Sequence, residues 1–222
     1  MNKCEGLVLK QVTDRLLAGL WKNYAAQGVL AEWDGKVYGG SKMSQRFWEY
    51  MIAIKLLELN DESSVLEIGG GSPRTKTAFF SDILASSIAL STVMDPNLDP
   101  LNEKLNTCYL RQFADGPSLD RIHDDGYSHV VSISTLEHVE PAMREKIITS
   151  LNTFTYVETM VFTFEYHPTT RYFDYQLTAK DLDVFSRLTN FYADSFETSP
   201  THCVNAVDKW YPVALRFRRS DF

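Results

Sequence analysis

The stretch Ser64-Val65-Leu66-Glu67-Ile68-Gly69-Gly70-Gly71-Ser72-Pro73 constrains the fold of this 222-residue chain more than any other. A short apolar run holding one acidic residue meets three glycines. The run has the composition of a buried strand. The glycines let the backbone turn sharply and lie close to a ligand, because no Cβ intervenes. A strand that enters such a turn ahead of a helix is how open α/β sheets build a nucleotide-type site at the carboxyl ends of their strands. The same turn also serves as a bare strand-to-helix connection. Glu67 favours the ligand, because a carboxylate inside an apolar strand is costly to desolvate without a partner. The spacing narrows which ligand. Gly69 and Gly71 fit the first two positions of G-x-G-x-x-G, but Arg74 holds the third, where close helix-strand packing wants glycine. That disfavours a pyrophosphate-binding dehydrogenase.

The rest of the chain alternates between strand and helix patterns. Residues 7–31 read as a helix, with Leu7, Val12, Leu16, Leu17, Leu20 and Tyr24 recurring between polar residues. Gly28, Gly35 and Gly39-Gly40 punctuate a turn region. Ser44 can cap a second helix that runs to Leu57, with Phe47, Met51, Ile54 and Leu57 on one face. Five strands are expected at 64–68, 88–94, 107–113, 129–134 and 156–164. Helices are expected between them at 76–85, 101–105, 117–123 and 141–151, the last with Pro141 in its first turn. Thr178 can cap a helix over 179–189, and two β-rich runs, 191–197 and 213–218, follow. This order gives an α/β fold with a mostly parallel sheet and a hairpin-like finish. A single domain is expected, with a helical cap over 1–60 and a core over 61–222.

Composition excludes several classes of partner. The net charge is -7, so the chain is a poor generic binder of a phosphate backbone, which needs clustered Lys and Arg. Arg216-Phe217-Arg218-Arg219 is the one basic cluster, and it reads as a solvated strand end. No run approaches the roughly 18 apolar residues of a membrane span, and Met1-Asn2-Lys3-Cys4-Glu5 lacks a signal-peptide pattern. Cys4, Cys108 and Cys203 are odd in number and far apart, which suggests reduced thiols in a cytoplasmic protein. No Cys/His cluster has structural-zinc spacing.

Two motifs carry a resemblance. Val65-Leu66-Glu67-Ile68-Gly69-Gly70-Gly71-Ser72 resembles the first motif of class I S-adenosylmethionine-dependent methyltransferases: apolar residues, an acidic residue, then G-x-G. Ser134-Thr135-Leu136-Glu137-His138-Val139 resembles the segment after the fourth strand in small-molecule members, which often ends in Glu-His-Val. With the elements between them the motifs cover about residues 48 to 165. The resemblance implies a Rossmann-like sheet of seven strands in the order 3-2-1-4-5-7-6, the last strand antiparallel. It implies S-adenosylmethionine as cofactor and a small molecule, accepting methyl on oxygen or nitrogen, as substrate. Two rival readings are a binding module that lacks turnover and a nucleic-acid methyltransferase. The acidic balance and the absence of an Asn/Asp-Pro-Pro-aromatic motif after the fourth strand weigh against the second.

Site residues follow. Gly69, Gly70 and Gly71 give close backbone approach. Asp95 ends the second strand, 95 − 71 = 24 residues after Gly71, near the ~20-residue spacing of ribose-binding acids; Asp-Pro-Asn is also strong turn chemistry. By resemblance Asp115 meets the adenine amino group, though Asp115-Gly116-Pro117 is turn-rich as well. By resemblance Glu67 organises the site through hydrogen bonds, and Ser134 and Thr135 lie beside the methionine part of the cofactor. Glu137 and His138 are the candidates near the transferring methyl. Histidine can take a proton near neutral pH, or it can shape the helix start. Substrate candidates are Trp33 and Tyr38, and His167, Arg171 and Tyr172 beyond the fifth strand, where an aromatic wall suits a planar acceptor and Arg171 an anionic group. Phe47 and Trp48 read as packing. No metal is expected, because Ser134-Thr135-Leu136 brings too few carboxylates.

Overall fold

The computed structural model describes residues 3–26, 42–71, 78–99, 107–122, 125–169, 174–198 and 211–220. Trp33, Tyr38, Arg171, Tyr172, the glycines at 28, 35, 39 and 40, and the helix expected at 101–105 lie outside the described residues. Two helices, α1 (Lys3–Ala26) and α2 (Lys42–Leu57), precede the sheet. The core follows as β1 (Ser64–Ile68), α3 (Phe79–Leu84), β2 (Leu90–Met94), β3 (Thr107–Leu110), α4 (Gly116–Leu119), β4 (His129–Ile133), α5 (Pro141–Ser150), β5 (Thr159–Tyr166), β6 (Phe191–Thr198) and β7 (Tyr211–Arg219). The seven strands form one sheet in the order β3-β2-β1-β4-β5-β7-β6. The pairs from β3 through β5 are parallel, and β7 runs antiparallel to both β5 and β6. This is the expected topology.

Strand alternation divides the core between the two faces of the sheet. Leu66, Ile68, Val130, Met160, Phe162, Phe164, Leu215 and Phe217 face α5 and its neighbours. Val65, Val131, Ile133, Val161 and Ala214 face α1, α2 and α3. A parallel sheet covered on both faces needs such continuous apolar strands. In α1, Val12, Leu16 and Leu20 recur four apart, so they share one face, and all three are buried. Phe47 and Trp48 are buried in that same cluster, as packing residues. Each such buried Leu or Phe contributes ~1.5–3 kcal/mol relative to exposure.

Several boundaries differ from the sequence expectation, each for a local reason. The second helix begins at Lys42, so Ser44 lies within it and is not its cap. Ala89 and Leu90 both donate to the Ser63 carbonyl, so the ladder of β2 starts only at Leu90. Gln112 N–H turns back to the Leu110 carbonyl and ends β3. Tyr156 sits in a turn, so β5 starts at Thr159 and runs on to Tyr166. The segment expected as a helix over 179–189 is a 3₁₀ turn, Asp181–Arg187. Its start is fixed by Asp181, whose carboxylate accepts the Thr178 N–H at 2.8 Å and the Thr178 hydroxyl at 2.6 Å.

The basic cluster is ion-paired and only partly solvated. Arg216 bonds Asp194 at 2.7 Å and Glu58 at 2.7 Å. Arg218 bonds the same two carboxylates at 2.8 and 2.7 Å. Arg219 donates to the Val157 and Phe154 carbonyls and lies over the Phe191 ring. These arginines fasten the edge strand β6 and the end of α2 to β7. Their charge is spent inside the molecule.

Candidate active site

A cavity of about 810 Å³ opens at the carboxyl ends of β1, β2 and β4. One wall is the glycine turn. Gly69 has φ 78°, donates to the Met94 carbonyl at 2.8 Å and accepts the Thr135 hydroxyl at 2.9 Å. A Cβ there would collide with Thr135, and one on Gly70 would collide with the Glu67 carboxyl. A Cβ on Gly71 would lie 2.6 Å from the Asp95 carboxyl carbon. The backbone can hold this path only without side chains.

Behind the turn, Glu67 is 2% exposed and faces α3. It accepts the Ser81 N–H at 3.1 Å and the Ser81 hydroxyl at 2.5 Å. Burial, aided by the nearby Asp95 charge, pushes its carboxyl up to about 7. Asp95 accepts the Gly71 N–H at 3.1 Å through one oxygen and the Asn97 N–H at 2.7 Å through the other. It is therefore both a turn residue and part of the wall. Asp115 sits elsewhere. Its carboxylate accepts the Ser118 N–H at 2.9 Å, and the Ser118 hydroxyl, then that N–H, hold it below the usual carboxylate range. It caps α4 and is not among the residues lining the cavity, where Phe113 and Ala114 stand instead. The Phe113 ring is 70% exposed.

The opposite wall comes from the turn after β4. Ser134, Thr135, His138 and Val139 line the cavity. Ser134 is buried and has φ 49°, a left-handed conformation that costs a non-glycine residue about 1–2 kcal/mol. Its N–H donates to the Thr163 carbonyl at 2.9 Å, which holds the turn against β5. His138 is exposed at the rim. Glu137, expected beside the transferring methyl, is instead fully buried behind Ser134 and does not line the cavity. The reason is the short 3₁₀ turn Leu136–His138, which points successive side chains in different directions. His167 accepts the Thr169 N–H at 3.2 Å and does not line the cavity.

Other lining residues had no motif to announce them. Arg46 and Tyr50 reach in from α2, and Met143 and Ile147 from α5. The signal that could have found them is spacing. Residues 46 and 50 in α2, and 143 and 147 in α5, are four apart and so share a side.

No family model and no curated protein matches the chain. Solved structures do. Magnesium protoporphyrin IX methyltransferase (ChlM) from Synechocystis PCC 6803 with bound SAM superposes over 99% of this chain and 99% of its own, with TM-score 0.52 and 16% identity. A SAM-dependent methyltransferase from Anabaena variabilis ATCC 29413 covers 94% and 95%, with TM-score 0.54 and 14% identity. The methyltransferase domain of bacterial CtHen1 covers 80% and 100%, with TM-score 0.55 and 14% identity. The fold is that of the class I S-adenosylmethionine-dependent methyltransferases. In this methyltransferase fold the cavity lies where open α/β sheets bind ligands, beyond the carboxyl ends of the strands and on both sides of β1.

Proposed function

We propose that the chain is an enzyme that methylates an oxygen or nitrogen of a small molecule with S-adenosylmethionine. The observation that carries this reading is the glycine wall, a backbone path that admits no Cβ and is flanked by Glu67 and Asp95 inside one cavity. The residues present suit the cofactor. The backbone of Gly69–Gly71 can lie against its amino-acid part. Asp95 offers a carboxylate to the ribose hydroxyls. Phe113, Val139, Met143 and Ile147 give apolar walls to adenine.

When bound, S-adenosylmethionine supplies an electrophilic methyl group to an acceptor aligned for in-line attack. The chain's own part is chiefly to hold two partners in register and exclude water. His138, exposed at the rim of the cavity, is the residue we assign to take the acceptor's proton. Ser134 and Thr135 fix the turn that carries it, and the Thr135 hydroxyl ties that turn to Gly69.

A small acceptor is supported by charge. The net charge is -7, and the arginines of β7 are consumed in ion pairs and carbonyl contacts. ChlM is named for a small-molecule substrate and HEN1 for small RNA, so the structural likeness does not choose between them. No described helix is long and apolar enough to cross a membrane. Among the described residues no group of His, Cys, Asp and Glu could hold a metal ion.

The test has two stages. Calorimetry with S-adenosylmethionine and S-adenosylhomocysteine should give saturable binding at one site. Labelled methyl should then pass to members of a panel of small hydroxyl and amine compounds, and not to RNA or DNA. Binding without any transfer points to a regulatory module, and transfer to nucleic acid alone overturns the small-molecule reading.

A further inference from the structure

Behind Ser134 lies a group of carboxyls that the proposed chemistry does not use. The Ser134 hydroxyl stands 2.6 Å from Glu137 Oε1 and 3.3 Å from Glu49 Oε1. Gln45 donates from one nitrogen to Glu49 at 3.3 Å and to Glu165 at 3.1 Å. The Glu165 N–H closes the ring by donating to Glu137 at 3.2 Å. Glu49 and Glu137 are both fully buried. The elements that meet here are α2, β5 and the turn after β4. The charged groups they bring are Arg46, which pairs with Glu49 at 3.0 Å, and Glu165. His138 is next in the chain, on the exposed side. Arg144 donates to the Leu136 and Val139 carbonyls on either side of Glu137, and lies 4.0 Å from Asp181.

Formal charge then decides the protonation. Glu49 and Glu137 are fully buried and share one paired guanidinium, Arg46, so ionising both would leave a net negative charge in a dry region. Glu137 Oε2 has no hydrogen-bond partner among the described residues, so ionising it would strand a bare charge. The network therefore keeps a proton until a second cation arrives. Consistent with that, burial and then the Glu49 charge push the Glu137 carboxyl up to about 8, and burial pushes Glu49 up as well. Ser134 is the member of the network that reaches the cavity, together with Arg46.

We propose that the Glu49–Ser134–Glu137 network is a charge-selective wall, which gives up a proton when a cationic ligand sits beside Ser134 and keeps it when the ligand there is neutral. The network thus favours the sulfonium of S-adenosylmethionine over the thioether of S-adenosylhomocysteine, increasingly as pH rises. This rests on the cofactor reading above. The sign follows from linkage: binding that releases a proton strengthens as the proton becomes scarcer.

The experiment is titration calorimetry of both ligands in two buffers of different ionisation enthalpy, at pH 6, 7 and 8, on the wild type and Glu137→Gln. The ligand's own ammonium titrates alike in both proteins, so it cancels in the comparison. The wild type should release about half a proton more per S-adenosylmethionine at pH 7 than the variant does. Its affinity for that ligand should rise about tenfold more between pH 6 and 8. With S-adenosylhomocysteine the two proteins should agree. If Glu137→Gln does not fold, as judged by its melting curve, Glu49→Gln replaces it, because removing the like charge lowers the proton count in the same direction. Equal proton counts with both ligands bound overturn the network's role alone. No binding of either ligand to the wild type overturns the cofactor reading, and this inference with it.

Discussion

On the β1–β2 side the cavity wall is main chain, and on the post-β4 side it is side chain. The glycine wall is held through main-chain groups: Asp95 accepts the N–H groups of Gly71 and Asn97, and Gly69 donates to the Met94 carbonyl of β2. The opposite wall is assembled from distant parts of the chain, with Glu49, Glu137 and Glu165 brought together from a helix, a turn and a strand. The first wall works by leaving room. The second works by charge and hydrogen bonding in a dry place, where protonation can change. Substitutions on the first should therefore act on affinity at any pH, and those on the second should act through pH.

The largest expected effect is on the main-chain wall. Gly71→Val puts a branched side chain where even a Cβ lies 2.6 Å from Asp95. S-adenosylhomocysteine affinity should fall by more than about 100-fold, and the melting temperature should drop as well, because Asp95 or the turn must shift to admit the side chain. A folded variant that binds normally would remove the glycine turn from the site. Asp95→Ala comes next, because a charge-assisted acceptor contributes ~1.5–3 kcal/mol, or about one to two decades in affinity. A change under twofold would leave Asp95 as the Asx turn that it also is.

A smaller effect is a pH dependence of stability, to which a buried carboxyl behind each wall contributes. Burial raises the Glu67 and Glu137 carboxyls to about 7 and about 8, from the ordinary 4.5. Their contribution is fully present below about 4.5 and is lost as pH rises toward those folded values. His129 works the other way. Burial lowers it to about 4, so the stability it permits is lost as pH falls from 6.5 toward 4. Thermal stability of the ligand-free chain should thus fall from about pH 6 to pH 8 by several degrees. Glu137→Gln should flatten that fall, and an unchanged slope would show that Glu137 ionises freely. The smallest expected effect on binding is that of His138→Ala. S-adenosylhomocysteine affinity should stay within about twofold, because a rim base acts in turnover rather than in ground-state binding. A large loss of affinity would make His138 part of the cofactor wall.

The difference between the walls also explains what was legible in the sequence. The glycine turn and the alternation of strands and helices are legible in local residue pattern, while the strand order is what the family resemblance implies. The fate of Glu137 is not legible there. It sits beside His138 in sequence, yet the turn sends one carboxyl into a buried network and leaves one imidazole at the rim. Its partners, Glu49 and Glu165, are 88 and 28 residues away (137 − 49 and 165 − 137). Asp115 shows the reverse: its turn chemistry is plain from Asp-Gly-Pro, and the Ser118 bond expresses it. Arg46 was hidden because a charged residue on an amphipathic helix ordinarily faces solvent, and only the fold reveals that this one faces a cavity.

The most direct test of the account is a crystal structure of the chain with S-adenosylhomocysteine. The ligand should lie against Gly69–Gly71, with its ribose hydroxyls on Asp95, its adenine between Phe113 and Met143, and its sulfur on the side of Ser134 and His138. A ligand bound away from the glycine wall, or crystals that take up none at saturating concentration, would contradict it.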